Sequence, residues 1–212
     1  IIILDNKRNK YLCFRDRLGQ KPLFYTNYGN GLIFGSEIKD ILFFKSKNEI
    51  KENKKTVLKY LLRGWCDDSH HTFFNNIYSV PSSKMGIIKN FEIRFKRYWK
   101  LEITGSKTFD KDEFNQIFLE NLKIHLRSDV PIAFTLSGGF DSSSIVKKSI
   151  DLNFSNYKAF SLFSSNNKEN FEKKFINQFI KENSIDHLFV DLDKKNKEDI
   201  LEKVIFFQDE PL

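Results

Sequence analysis

The stretch that decides the fold is "FTLSGGFDSSSIV", residues 134–146. An apolar, strand-forming run ends at Leu136, and a helix-like run rich in serine follows Asp141. Between them stand two adjacent glycines, Gly138 and Gly139. Paired glycines let the backbone turn tightly and approach a ligand closely. Whether this loop binds phosphate or is an ordinary tight turn depends on the sequence that flanks it.

The flanks predict a parallel α/β domain. "VPIAFTL", residues 130–136, is a continuous apolar run typical of a strand that is buried on both faces. After the loop, helix-like and strand-like segments alternate in the order "SSSIVKKSI", "YKAFSLF", "NFEKKFINQFIKEN", "HLFVDL" and "EDILEKVIFF". This alternation predicts a parallel sheet with right-handed crossovers. We expect the phenylalanines that recur along the third of these segments to lie in the core, namely Phe171, Phe175 and Phe179.

The first hundred residues have a different, β-rich pattern. Two strand-like runs meet at Gly29-Asn30-Gly31, which predicts a hairpin. "SEIKDILFF" predicts a short helix with Ser36 as its N-cap, and "KTVLKYLLRG" predicts a helix that ends at Gly64. We therefore predict two domains, with their boundary in residues 102–110.

Composition limits the class of protein. The chain has 212 residues, 40% hydrophobic and 30% charged, which is typical of a globular protein. Its net charge of +7 comes from scattered lysines rather than a basic run, so a solvated surface is expected and nucleic acid is not. No apolar run reaches the ~18 residues of a membrane span. Two cysteines make no disulfide framework, and we expect the cytoplasm. Because the first residue is Ile1, we expect a fragment of a longer chain.

The loop has the chemistry of an anion site. Ligands bind at the carboxyl edge of parallel sheets, and helix N-termini offer free N–H groups. Ser137, Ser142 and Ser143 add hydroxyl donors. A carboxylate repels phosphate, so Asp141 would serve mainly by holding a Mg²⁺ that the phosphates share. The loop is no Walker A motif, since no Gly-Lys-Ser/Thr follows. A plain Gly-Gly turn with Asp141 as helix N-cap is the alternative.

The loop resembles the S-G-G-x-D-S pyrophosphate loop of the ATP pyrophosphatase superfamily, whose members cleave ATP to AMP and pyrophosphate. "FRDRLGQKPLFY", residues 14–25, resembles the Arg-Asp-Arg-x-Gly-x-Lys-Pro-Leu-Tyr-Tyr segment of class II glutamine amidotransferases. "FGSEIKDIL" and "SVPSSKMGIIKNFEIRFKRYWKL" resemble the elements that follow it in that class. "AFSLF", "DH" and "QDEP" then come in the order found in glutamine-hydrolysing asparagine synthetases. The whole chain thus resembles that family.

The resemblance implies an α/β fold with two domains. Residues 1–101 would be the C-terminal part of a β-rich, Ntn-type glutaminase domain and its connector. Residues 108–212 would begin a Rossmann-like, parallel-sheet ATP-pyrophosphatase domain with α/β/α layers. One site hydrolyses glutamine to ammonia in this family, and the other converts aspartate to an acyl-adenylate that ammonia attacks.

The family's ATP-binding positions carry over to a short set of residues. The pyrophosphate loop is matched by Ser137, Gly138, Gly139, Asp141 and Ser142. In this match the Asp141 carboxylate would bind Mg²⁺. Two further residues match positions that border adenine, namely Leu136 and, after the second strand, Leu162. The implied cofactors are ATP and Mg²⁺. The implied partners are aspartate, glutamine and ATP, with no nucleic acid, no membrane, and a homodimer in the full-length enzyme.

The chain also departs from the family pattern. The glutaminase nucleophile of the family is an N-terminal cysteine, and neither Cys13 nor Cys66 matches it, so we assign no catalytic residue and expect no glutaminase turnover by this fragment alone. His187 and Asp209-Glu210-Pro211 match family positions without an assigned role.

Three alternatives stay open. One is a related amide-forming synthetase of the β-lactam or lasso-peptide type. Another is a tRNA-modifying ATP pyrophosphatase, and the third is a non-catalytic binding module.

Overall fold

The chain folds into two compact units. One comprises Ile1–Ile103 together with Lys203–Leu212, and the other comprises Thr104–Glu202. The domain ranges expected from the sequence, 1–101 and 108–212, remain predictions. The computed structural model describes residues 1–66, 69–103, 108–155, 157–165, 171–194 and 197–211. Residues 104–107 of the predicted boundary therefore lie outside the described ranges.

The first unit is built on two antiparallel sheets. Its strands are β1 (Ile2–Asp5), β2 (Lys10–Phe14), β3 (Phe24–Tyr28), β4 (Gly31–Gly35), β5 (Tyr78–Ser79), β6 (Lys84–Lys89) and β7 (Glu92–Arg97). One sheet has the order β1-β2-β6-β7 and the other the order β4-β3-β5. The predicted hairpin is confirmed, because β3 pairs with β4 with Tyr28 opposite Gly31.

A close approach between strands shapes the core of this unit. Cys13, Val80 and Ile88 form a buried cluster. Gly86 pairs with Cys13 across β2 and β6. A Cβ on Gly86 would lie 2.5 Å from the Cys13 Sγ and 2.7 Å from Ile93 Cγ2, so only glycine lets these strands pack as they do.

The first unit also contains two helices, α1 (Ile38–Leu42) and α2 (Lys54–Arg63). The predicted N-cap of α1 was wrong by one residue, since Glu37 rather than Ser36 caps it. The reason is local, because the Asp40 carboxylate accepts a hydrogen bond from the Glu37 N–H at 3.1 Å. The predicted end of α2 is confirmed, with Gly64 in the left-handed region at φ +72°.

The second unit alternates helices and strands as predicted. Its elements are α3 (Lys111–His125), β8 (Ile132–Thr135), α4 (Phe140–Asp151), β9 (Tyr157–Phe163), α5 (Phe171–Asn183), β10 (His187–Asp191), a 3₁₀ turn (Leu192–Lys194) and α6 (Lys197–Gln208), whose C-terminal half belongs to the first unit. The sheet has the order β10-β9-β8, and both pairs are parallel. The prediction of a parallel sheet is confirmed.

The core of the second unit corrects two predictions. β8 is not buried on both faces, because Ala133 and Thr135 are exposed and the strand lies at an edge of the described sheet. On α5, Phe179 packs against the core as predicted and Ile176 enters it at 3% exposure, whereas Phe175 is 61% exposed. A regular phenylalanine spacing marks one stripe of a helix, but packing decides how much of that stripe, and of the adjoining one, faces inward. The side chain of Phe171 lies outside the described part.

No helix in the described ranges combines the length and apolar character needed to cross a bilayer.

Candidate functional site

The glycine loop lies at the carboxyl edge of the parallel sheet. Leu136 follows β8 directly and is 1% exposed. Its N–H donates to the Phe160 carbonyl at 2.8 Å, which extends the β8–β9 pairing by one residue. The loop then leads straight into α4. This is the edge at which parallel α/β sheets bind ligands.

The two glycines have different roles in this loop. Gly138 has φ +80°, a region that residues with a side chain rarely adopt. A Cβ on Gly138 would also lie 3.2 Å from Ile176 Cγ1 and 3.3 Å from the Glu172 carbonyl oxygen. Gly139 has φ −76° and is the N-cap of α4, and no side chain caps this helix. The start of α4 therefore presents uncapped N–H groups toward the loop.

Two serine hydroxyls close the loop on itself. The Ser137 and Ser142 Oγ atoms are 3.0 Å apart. Ser142 Oγ accepts from the Ser137 N–H at 3.3 Å and donates to the Gly139 carbonyl at 3.2 Å. Ser137 Oγ accepts from the Gly139 N–H at 3.4 Å. These contacts hold hydroxyl and amide donors together in one exposed, compact turn.

Asp141 lies in the first turn of α4 with an exposed side chain. Because Gly139 is the N-cap, the alternative in which Asp141 caps the helix was wrong. No hydrogen bond or ion pair engages the Asp141 carboxylate within the described ranges. Its oxygens are thus free to hold a divalent cation such as Mg²⁺, which prefers oxygen ligands.

The structure places most of the predicted site residues in the loop after β8 and the first turn of α4, namely Leu136, Ser137, Gly138, Gly139, Asp141 and Ser142. Leu162 is placed differently from the prediction, inside β9 rather than after it, and is 66% exposed. Successive residues of a strand point to opposite faces, so Leu162 and its neighbour Ser161 face opposite sides of the sheet.

A buried polar pair lies next to the loop, and the sequence reasoning did not find it. The Ser161 hydroxyl, in a residue 4% exposed, donates to the Leu136 carbonyl oxygen. His187 Nε2 lies 2.8 Å from Ser161 Oγ. Burial lowers the pKa of His187, although nearby Asp186 acts in the opposite direction. The available signal was a serine inside the apolar strand segment "YKAFSLF".

Asp209, the first residue of the Asp209-Glu210-Pro211 motif, contacts α1 in the first unit. Its carboxylate accepts from the backbone N–H groups of Ile38 at 2.7 Å and Lys39 at 3.3 Å. The Lys39 ammonium lies 3.2 Å from the same carboxylate. Asp209 therefore caps a helix about 170 residues earlier in the chain.

The two cysteines are both buried, Cys13 at 0% and Cys66 at 9% exposure. Burial raises the pKa of the Cys13 thiol, against weaker lowering by the Gly86 backbone. A buried thiol with a raised pKa is a poor nucleophile. Within the described ranges, no three His, Cys, Asp or Glu side chains are grouped so that they could hold a metal.

Comparison with known proteins matches two domains in tandem. The glutamine amidotransferase domain family matches residues 1–99, and the asparagine synthase family matches residues 113–212. The two matches follow one another along almost the whole chain.

Curated relatives agree with this pair of domains. A putative glutamine-hydrolysing asparagine synthetase 2 of Methanocaldococcus jannaschii is 36% identical over 151 residues, which cover 68% of this chain and 29% of that protein. Glutamine-hydrolysing asparagine synthetase 3 of Bacillus subtilis is 34% identical over 148 residues, covering 68% of this chain and 24% of that protein. The amidase chry2 of Gibberella zeae is 34% identical over 152 residues, which cover 68% of this chain and 22% of that protein.

The fold and the matches define a two-domain α/β protein in which a glutaminase-type domain precedes an asparagine synthase domain. The chain belongs to the glutamine-hydrolysing asparagine synthetase family. It spans between 22% and 29% of the length of the three relatives described above.

Proposed function

We propose that this chain is part of a glutamine-dependent, amide-forming synthetase that binds Mg²⁺-ATP at residues 136–142 and makes asparagine. The observation that carries the proposal is the loop, where Gly138 is left-handed and α4 begins without a side-chain cap at the carboxyl edge of a parallel sheet. Backbone N–H groups in this arrangement favour phosphate oxygens. Membership in the asparagine synthetase family supports ATP as the nucleotide.

The proposed reaction has two chemical steps. An oxygen of the aspartate β-carboxylate attacks the α-phosphorus of ATP, and the bond to pyrophosphate breaks. Ammonia from glutamine then attacks the acyl carbon of β-aspartyl-AMP, loses a proton, and AMP departs with the bonding electron pair. Adenylation is needed because a carboxylate oxygen is otherwise a poor leaving group.

The residues of this chain act in the first step. The N–H groups at the start of α4 and the hydroxyls of Ser137 and Ser142 would bind the pyrophosphate as negative charge develops on it. The Leu136 backbone and the Leu162 side chain would border the adenine ring. The loop's own hydrogen bonds hold its backbone before substrate arrives, so the N–H groups at the start of α4 need little reorganisation. The Ser137 and Ser142 hydroxyls, which contact each other and the Gly139 carbonyl, would rotate toward the pyrophosphate.

Mg²⁺ fits the loop through Asp141. The carboxylate is exposed, lies in the first turn of α4, and has no protein partner within the described ranges. One carboxylate combined with substrate phosphates is a usual Mg²⁺ coordination in proteins. When bound, the ion would neutralise phosphate charge.

A second candidate is an amide-forming synthetase with a different acceptor carboxylate. The amidases chry2 and chyE, at 34% and 33% identity, are as similar to this chain as several asparagine synthetases. A tRNA-modifying ATP pyrophosphatase is disfavoured by the glutamine amidotransferase match over residues 1–99. The predicted cytoplasmic location and homodimer remain predictions.

Asp141→Asn in the full-length protein tests the proposal. We expect aspartate-dependent exchange between ATP and pyrophosphate to fall at least about 10²-fold, because one preorganised electrostatic contact is lost. Glutaminase activity should persist, since asparagine is nearly isosteric with aspartate. Asp151→Asn, at the other end of α4, is the matched control and should leave exchange unchanged.

Two outcomes would contradict the proposal in different ways. Near-wild-type exchange in a folded Asp141→Asn protein would show that the loop does not hold Mg²⁺-pyrophosphate through this carboxylate. Wild-type exchange that requires a carboxylate other than aspartate would favour the second candidate.

A further inference from the structure

The peptide group between Leu136 and Ser137 is held at both of its polar ends. The Leu136 carbonyl oxygen accepts a hydrogen bond from the Ser161 hydroxyl. The Ser137 N–H donates to Ser142 Oγ at 3.3 Å. This peptide group is the last fixed unit before Gly138, so its orientation sets the direction in which the following loop N–H groups point.

The contact at the carbonyl end continues into a third strand. Ser161 has a single hydroxyl hydrogen, and that hydrogen is directed to the Leu136 carbonyl. His187 Nε2, 2.8 Å from Ser161 Oγ, must therefore be the donor in their contact. The result is a directed chain of hydrogen bonds from β10 through β9 to the residue that follows β8.

Burial makes it difficult for water to replace these hydrogen bonds. Ser161 is 4% exposed and Leu136 is 1% exposed. Loss of the Ser161 hydroxyl would leave a buried carbonyl without its side-chain donor, and loss of the His187 donor would weaken the position of the hydroxyl. Neither side chain belongs to the loop itself.

We infer that Ser161 and His187 are positioning residues for the phosphate-binding loop, which orient the Leu136–Ser137 peptide group for pyrophosphate binding. The inference rests on the proposed function of that loop. Both residues act through Leu136 rather than on the substrate. Fixed donors stabilise developing charge better than donors that must reorient during the reaction.

Paired variants of the full-length protein test this role. Ser161→Ala and His187→Leu remove a donor, whereas Ser161→Thr and His187→Gln retain one at a similar position. We expect the first pair to lower kcat/KM for ATP in ATP–pyrophosphate exchange about tenfold, the effect of one lost hydrogen bond. The second pair should stay within about threefold of wild type, and glutaminase activity should be unchanged in all four.

A matched control separates positioning from stability. Ser149 is also fully buried, and its hydroxyl donates to the Ile145 carbonyl at 2.8 Å within α4. Ser149→Ala removes a comparable buried hydrogen bond in the same unit without touching the loop. We expect it to change the melting temperature only slightly, because the Ile145 carbonyl also accepts a backbone N–H of the helix and alanine favours helix, and to leave the exchange KM and kcat unchanged.

Each result decides between the alternatives. Wild-type exchange by folded Ser161→Ala and His187→Leu, or an equal loss in Ser149→Ala, would overturn the positioning role while leaving the proposed function intact. If Ser161→Ala fails to fold, the comparison of His187→Leu with His187→Gln decides, and equal activities overturn the role. Absence of exchange in the wild type would overturn the proposed function and this inference with it.

Discussion

At the scale of single residues, Gly138 and Gly139 are adjacent but not equivalent. Gly138 is left-handed at φ +80° and faces Ile176 and the Glu172 backbone. Gly139 has ordinary φ, and a Cβ there would meet only Ser137 Oγ at 3.4 Å. The same substitution at the two positions is therefore a matched comparison. At Gly138 it tests the left-handed conformation, and at Gly139 it serves as the control.

We expect Gly138→Ala to destabilise the protein by about 1–3 kcal/mol and to abolish ATP–pyrophosphate exchange, because alanine would push the loop out of its left-handed conformation. Gly139→Ala should cost less than about 1 kcal/mol, the usual effect of a poorer N-cap residue. Melting temperature and exchange rate measure both effects. Equal losses in the two variants would contradict the role of the φ angle.

At the scale of elements, α1 shows how a helix depends on a distant residue. The helix has only five residues, and Ile38 and Ile41 bury its inner face completely. Such a short helix has little intrinsic stability, so its tertiary contacts decide whether it forms. Asp209 supplies one of them by accepting hydrogen bonds from two of its backbone N–H groups.

Asp209→Gly should destabilise the first unit by about 1–2 kcal/mol, because the N–H groups of Ile38 and Lys39 lose their acceptor. Glycine is the suitable test residue since Asp209 has φ +63°. Asp209→Asn keeps an acceptor oxygen and tolerates this φ, so it should cost less than about 1 kcal/mol. A melting temperature that falls equally in both variants would assign the effect to the lost charge near Lys39 instead.

At the scale of the whole molecule, charge and burial set the response to acid. Burial lowers the pKa of His187, and burial followed by His71 and Lys84 lowers the pKa of His70. The ion pair with Lys147 lowers the pKa of the Asp151 carboxyl. These groups give stability that is present at neutral pH and is lost in acid, the histidines first.

We expect the melting temperature to begin falling as pH drops through about 6.5, the ordinary histidine pKa, because the unfolded chain then binds protons that the folded state resists. A second fall should begin near pH 4, where carboxyl groups of the unfolded chain take up protons that the folded carboxylates with lowered pKa still resist. His187→Gln should reduce the slope between pH 7 and 5.5 without removing it, since His70 still contributes. An unchanged slope in that variant would contradict a lowered His187 pKa.

Local pattern was enough to predict most elements and the loop. Apolar spacing indicated the strands and helices of the second unit, and the hairpin at Gly29 and the end of α2 at Gly64 followed from glycine's access to positive φ. Residues 136–142 could be singled out because the function proposed for them depends on neighbours in sequence. The family could be recognised from the sequence for the same reason, because its motifs are contiguous segments.

The errors share one physical cause, which is that a residue's environment depends on segments far away in sequence. The apolar run ending at Leu136 carries no information on whether both faces of β8 are covered, and Ala133 proved to be exposed. The phenylalanine spacing of α5 predicted the core position of Phe179, but it did not reveal that Phe175 would be exposed or that Ile176 would pack against Gly138.

The sequence by itself determined the order of elements, the parallel sheet and the glycine loop, because backbone preferences and apolar periodicity act over a few residues. Only the tertiary structure decided that Ser161 and His187 meet behind Leu136 and that Asp209 caps α1. These contacts join residues between 25 and 171 positions apart, and they form only once the chain has packed. Hydrogen bonds between such residues depend on side-chain positions to within a few tenths of an ångström, which no local pattern encodes.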